Sequence, residues 1–73
     1  MGRKSVHPIP TASAYKIIAK AGAERISDNA SEYLAEILTN KGVEISKYAM
    51  QLAEHAGRKT VKKEDIKLAS KQV

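Results

Sequence analysis

The sequence predicts an all-α chain: a short helix, a loop, a long central helix, a second loop and a last short helix. Three observations predict it. Both prolines, Pro8 and Pro10, precede residue 11, so nothing downstream forbids a helix on that ground. Gly22 and Gly57 stand where two apolar periodic stretches stop, the place of a glycine that closes a helix. Between them, over residues 27–56, apolar or small side chains recur at Ala30, Leu34, Ile37, Leu38, Ile45, Tyr48, Ala49, Leu52 and Ala56. The steps are mostly three and four, which is one stripe on a 3.6-residue helix.

That central helix is too long and too apolar for one small chain. At ~1.5 Å per residue its thirty or so residues span about 45 Å, more than a domain of this size is wide. A second apolar set, Tyr33, Val43, Met50 and Ala53, lies off the main stripe. One short helix at each end cannot cover both sides. A second copy of the chain is expected to do so, giving a homodimer.

The totals agree. Seventy-three residues make one domain, and a domain of this length buries only about 60% of its unfolded surface. Such folds add disulfides, a metal or oligomerisation. There is no cysteine, which removes disulfides and thiolate sites and suits a reducing compartment. His7 and His55 lie far apart with no i, i+4 partner, so neither metal nor cofactor is expected. Oligomerisation is the staple that remains.

Charge points to the partner. The net charge is +5 and the pI about 9.6, as for a domain that meets a polyanion. The central helix runs against the total, with Lys41 and Lys47 facing Asp28, Glu32, Glu36, Glu44 and Glu54. The positive charge therefore sits in the flanking elements: Lys16, Lys20 and Arg25 before it, and Arg58, Lys59, Lys62, Lys63, Lys67 and Lys71 after it. No apolar run approaches the ~20 residues of a membrane span. Met1-Gly2 begins like a myristoylation signal, but Val6 stands where that signal needs Ser or Thr. The expected location is cytoplasmic, on the chromosome or nucleoid.

In chain order, residues 1–10 carry Arg3 and Lys4 and read as an extended basic arm, with residues 11–73 as the folded domain. Residues 11–20 form the first helix, with Thr11 and Ser13 as candidate N-caps. Ala14, Ile17, Ile18 and Ala21 space as its buried face, leaving Lys16 and Lys20 on solvent. Gly22 ends it. Ala23-Glu24-Arg25-Ile26 is the first loop, and Ser27-Asp28 caps the central helix, with Ile26 as a hydrophobic staple. Gly42 is the oddity inside that helix, since a mid-helix glycine costs roughly 1 kcal/mol against alanine. A second backbone passing close by would explain it; a kink, or drift with no role, is the alternative. After Gly57 come Arg58-Lys59-Thr60-Val61-Lys62, a basic loop around a β-prone pair. Residues 63–72 form the last helix, with Ile66, Leu68 and Ala69 apolar, and Glu64 and Asp65 complementing the dipole of its first turn. There is no nucleophile–base pair, glycine-rich phosphate loop or pair of carboxylates in a pocket-forming context. No enzyme, and no small-molecule substrate, is expected.

Four runs carry a family resemblance: Ile17-Ile18, Ala21-Gly22-Ala23-Glu24-Arg25-Ile26-Ser27-Asp28, His55-Ala56-Gly57-Arg58-Lys59-Thr60-Val61 and Glu64-Asp65-Ile66-Lys67-Leu68-Ala69. In order and spacing, and with Gly42 between them, the stretch 10–69 resembles archaeal histones. The resemblance implies a histone fold in which two chains clasp head to tail. Their long helices would cross near Gly42, and the loop at Arg25-Ile26 of one chain would lie beside Thr60-Val61 of the other. It further implies duplex DNA as partner, packaged with little sequence preference.

Residue by residue, Arg25 matches the arginine that histones insert into an inward-facing minor groove. Lys59 and Thr60 match phosphate contacts of the second loop. Lys16 stands where the family commonly has an arginine, keeping the charge and losing the fork. Lys20 and Lys62 are additions from position alone. Arg58 and Asp65 resemble the family's intrachain clamp. Leu52, His55, Asp65 and Leu68 match the positions that form a four-helix bundle between dimers, and Gly22 a small residue where turns of such an assembly approach. Three features depart from the pattern: a longer arm, Glu54 where a basic residue is common, and Lys41 where an apolar one is common near the dimer axis. Two functions remain open at this point. One is a DNA-packaging homodimer able to assemble further or to pair with related histones. The other is a histone-fold subunit of a heterodimeric transcription-regulatory complex.

Overall fold

A computed structural model of the chain describes residues 8–73. The expected basic arm over 1–10 falls mostly on residues outside that range, Arg3, Lys4 and His7 included. Three helices follow in order: α1, Thr11–Lys20; α2, Asp28–His55; and α3, Lys63–Gln72. The described residues hold no strand, and none of their helices is long and apolar enough to cross a membrane.

α1 starts where proline stops being an obstacle. Pro10 is itself the N-cap, extended at φ −66° and ψ 148°. Its carbonyl accepts from the N–H groups of Ser13 and Ala14 at 3.1 and 3.3 Å. Neither Thr11 nor Ser13 caps the helix. Both lie inside its first turn, because Pro10 has φ preset and no N–H to satisfy. At the other end, Gly22 takes a φ of +111° and its N–H reaches the Ala19 carbonyl at 3.0 Å.

α2 is one residue shorter at each end than the stretch 27–56, since Ser27 and Ala56 are its caps. The Ser27 hydroxyl accepts the Ala30 N–H at 3.2 Å, satisfying one orphan donor of the first turn. The C-terminus closes as a Schellman motif. The Gly57 N–H bonds the Glu54 carbonyl and the Arg58 N–H bonds the Ala53 carbonyl, both at 2.9 Å. Gly57 sits at φ +75°, the left-handed conformation that motif needs.

The chain divides into two compact units, the first ending at Asn40 and the second covering Lys41–Val73. Buried side chains are Ala14, Ser31 and Ala35 in the first, and Ala49, Ala53, Asp65 and Ala69 in the second. Among the described residues, every fully buried apolar one is thus an alanine. Small side chains let helices approach, but each removes little apolar area from water. The large ones stay outside: Tyr33 is 65% exposed, Leu68 56% and Ile17 51%. The expected buried face of α1 is therefore narrower in this chain. Ala14 is buried and Ile18 half-buried, while Ile17 and Ala21 are exposed. Three residues on from Ala14, Ile17 lies about 60° back round the helix, away from Ile18.

Candidate nucleic-acid interface

The candidate cations all reach solvent. On α1, Lys16 and Lys20 lie about 160° and 120° round the helix from buried Ala14, and both are exposed. Arg25 is exposed in the loop between Gly22 and Ser27, two positions fixed by a left-handed glycine and by a cap. Among the described residues no hydrogen bond or ion pair engages its guanidinium. A short loop with both ends fixed holds such a side chain at low entropic cost.

The second loop is held by side chains as well as backbone. The Arg58 guanidinium donates from Nη1 to Asp65 Oδ2 at 2.9 Å and from Nη2 to Asp65 Oδ1 at 3.0 Å. Nη1 also donates to the Thr60 carbonyl at 2.9 Å. Asp65 Oδ2 accepts the Lys62 N–H at 2.8 Å, which caps α3 from its third residue. One carboxylate therefore anchors the loop at Arg58 and at Lys62, on either side of Thr60. Asp65 is only 3% exposed, and a buried carboxylate is tolerated because it is paired and hydrogen-bonded. The Arg58 hydrogen bonds, followed by the Lys62 N–H, hold the Asp65 carboxyl down at about 2, against an ordinary 3.8. The same hydrogen bonds raise Arg58 above its ordinary value. Lys59, Thr60 and Lys62 are exposed around this clamp. Arg58 is committed to it, while its neighbours are presented outward.

The other expected residues divide. Leu52 is half-buried, His55 and Leu68 are exposed, and Asp65 is turned inward to Arg58. His55, Gln51 and Glu54 line a shallow cleft of about 300 Å³. Gly22 has open space around it beyond its need for positive φ. Among the described residues, nothing beyond its chain neighbours and its own helix backbone comes within 4 Å of a Cβ built on Gly42, so no contact with them requires glycine there. Two features escape the reading by motif. A groove of about 320 Å³ beside the second loop is lined by Met50, Ala53, Glu54, Arg58, Lys59 and Val61. Lys63, Lys67 and Lys71 line up along the outside of α3, and only their four-residue spacing could have marked them. Among the described residues no cluster of His, Cys, Asp and Glu could hold a metal ion.

Comparison with known proteins adds the family. Residues 7–69 match the family model described as histone-like transcription factor (CBF/NF-Y) and archaeal histone. The chain is 51% identical over 63 residues to one of the subunits of archaeal histone HAN1 from Thermococcus zilligii, covering 86% of this chain and 94% of that protein. It is 48% identical over 61 residues to probable archaeal histone 3 of Methanocaldococcus jannaschii, covering 84% and 91%.

Proposed function

The chain belongs to the family of histone-like transcription factors and archaeal histones and has the histone fold, and from that premise we propose that it is a DNA-packaging protein. It acts without catalysis, as a homodimer that bends duplex DNA with little sequence preference on the chromosome. The observation that carries this reading is the second loop. A part-buried Arg58–Asp65 pair fixes a short basic segment and leaves Lys59, Thr60 and Lys62 turned to solvent.

In this reading Lys16, Lys20, Lys59 and Lys62 neutralise phosphates, Thr60 donates a hydroxyl and Arg25 enters the minor groove. Arg58 and Asp65 position the loop. A second copy covers the apolar side chains that one chain leaves exposed, its central helix passing at Gly42. Leu52, His55, Asp65 and Leu68 join one dimer to the next, and Gly22 lies where neighbouring turns stack. Domain organisation follows the same plan: an arm over 1–10 and the histone-fold domain over 11–73.

The test is DNA binding by an Arg25→Ala variant that melts like the wild type. Weakened binding with an unchanged melt supports the reading, and unchanged affinity removes the inserted-arginine role.

A second reading has one observation in its favour, since the matching family model also covers histone-like transcription factors. There the chain is one half of a heterodimer. Sedimentation of the purified chain separates the two. A stable homodimer belongs to packaging; an unfolded monomer, rescued by a different histone-fold chain, belongs to the heterodimer.

A further inference from the structure

α3 has two faces of opposite kind. Asp65 and Ala69 point inward, and Asp65 ties the helix to Arg58 of the second loop. At about 100° per residue, Lys67 lies some 160° round the helix from Asp65. Lys63 and Lys71, four residues before and after it, lie about 40° to either side. All three are exposed, and none joins an ion pair among the described residues. They form a stripe on the face opposite the loop tie, with exposed Glu64 about 20° from Lys71 and about 60° from Lys67 round the helix.

An ordinary solvated face is built differently. Exposed helices gain from opposite charges at i, i+3 and i, i+4 and lose from like charges at those spacings; this face has one opposite pair, Glu64 with Lys67, but places lysine on lysine twice. Lys63 opens the helix, where a cation opposes the macrodipole. Helix stability accounts for Lys71, a cation in the last turn, but not for Lys63 four residues before Lys67. A ligand does: cations four residues apart are spaced ~6 Å along the axis, close to the rise of two phosphates of one strand, ~3.4 Å each, along a duplex axis. Three such lysines track one stretch of phosphate backbone.

We propose that the outer face of α3, through Lys63, Lys67 and Lys71, binds the phosphates of a second DNA duplex, so that the protein bridges duplexes as well as bending one. The inference rests on the DNA-binding reading above. A second duplex is the occupant because the stripe faces away from the side of α3 that holds Lys59, Thr60 and Lys62 in place.

The experiment uses the full chain and a Lys63→Gln, Lys67→Gln, Lys71→Gln variant, with glutamine keeping helix propensity while removing charge. Two readouts are taken at near-physiological salt: affinity for one short mixed-sequence duplex, and capture of a labelled duplex by protein loaded on an immobilised one. The expected result is single-duplex affinity within about twofold of wild type and a tenfold or greater loss of capture. Undiminished capture by the variant would show the stripe to be a solvated face. A loss of single-duplex affinity, with the salt slope reduced by roughly 0.9 per lysine, would place the stripe on the first duplex and overturn bridging. A wild type that binds one duplex but captures no second also overturns it. A wild type that binds no DNA at all overturns the underlying reading, and this inference with it.

Discussion

The Arg58 guanidinium meets the Asp65 carboxylate through two parallel hydrogen bonds, Nη1 to Oδ2 at 2.9 Å and Nη2 to Oδ1 at 3.0 Å. Seven residues apart in sequence, the two close the second loop onto the start of α3. This fork–fork geometry is available to arginine and not to lysine. An Arg58→Lys variant keeps the charge but not the paired bonds or the tether to the Thr60 carbonyl. It should melt several degrees below wild type and bind DNA more weakly, because Lys59 and Thr60 lose their fixed positions. Thermal melts and a duplex titration on the same preparation check both effects.

The same pair sets an acid limit. The folded carboxyl titrates at about 2 and its ordinary value is 3.8, so the folded state binds its proton less readily than the unfolded one. The stabilisation it gives is complete above the unfolded value and declines as pH falls through 3.8 towards 2. The melting difference between wild type and Asp65→Asn should therefore be constant near neutrality and shrink across that window. A difference independent of pH through the whole of that window would mean that the ionised pair is not its source.

Gly57 offers a backbone test. At φ +75° any residue with a Cβ is strained, and among the described residues no heavy atom beyond its chain neighbours lies within 4 Å of where that Cβ would sit. The cost of Gly57→Ala is thus conformational alone, about 1–2 kcal/mol. For a domain this small that corresponds to a melting temperature lower by roughly 4–8 °C per kcal/mol.

Gly42 gives the opposite result if it has no partner. With no intrachain contact to oppose it, Gly42→Ala should stabilise α2 by roughly 1 kcal/mol. If a second central helix passes at that point, the added methyl weakens the dimer, and the destabilisation shows as a steeper dependence of melting on protein concentration. Melts at several concentrations distinguish the two signs.

The helices are legible in the sequence because their signals are local. Gly22 and Gly57 end α1 and α2 at positive φ, and the periodic stretches fall within a residue of the observed spans. What periodicity does not supply is which apolar residues one chain buries. Ile17 and Ile18 look alike in sequence, and only packing decides that one is exposed and the other half-buried. The cap of α1 is hidden for a related reason. Thr11 has the better capping side chain, but Pro10 before it is extended and supplies the carbonyl. In the candidate site, the clamp follows from resemblance and not from composition, since an Arg and an Asp seven residues apart say nothing of a bidentate pair. The Lys63, Lys67 and Lys71 stripe lies within a charge total and becomes visible only with the inward face of α3 in place.

If exposed cations outside α2 bind duplex DNA by neutralising its phosphates, salt must weaken the complex in proportion to their number. Affinity for a mixed-sequence duplex, measured across a range of salt concentrations, tests this most directly. Lys16, Lys20, Arg25, Lys59 and Lys62, acting in one chain or in two, predict that log K falls linearly with log salt, with a slope between about −4.5 and −9 at roughly 0.9 per phosphate neutralised. Binding that is flat across that range, or no duplex binding at low salt, would contradict it.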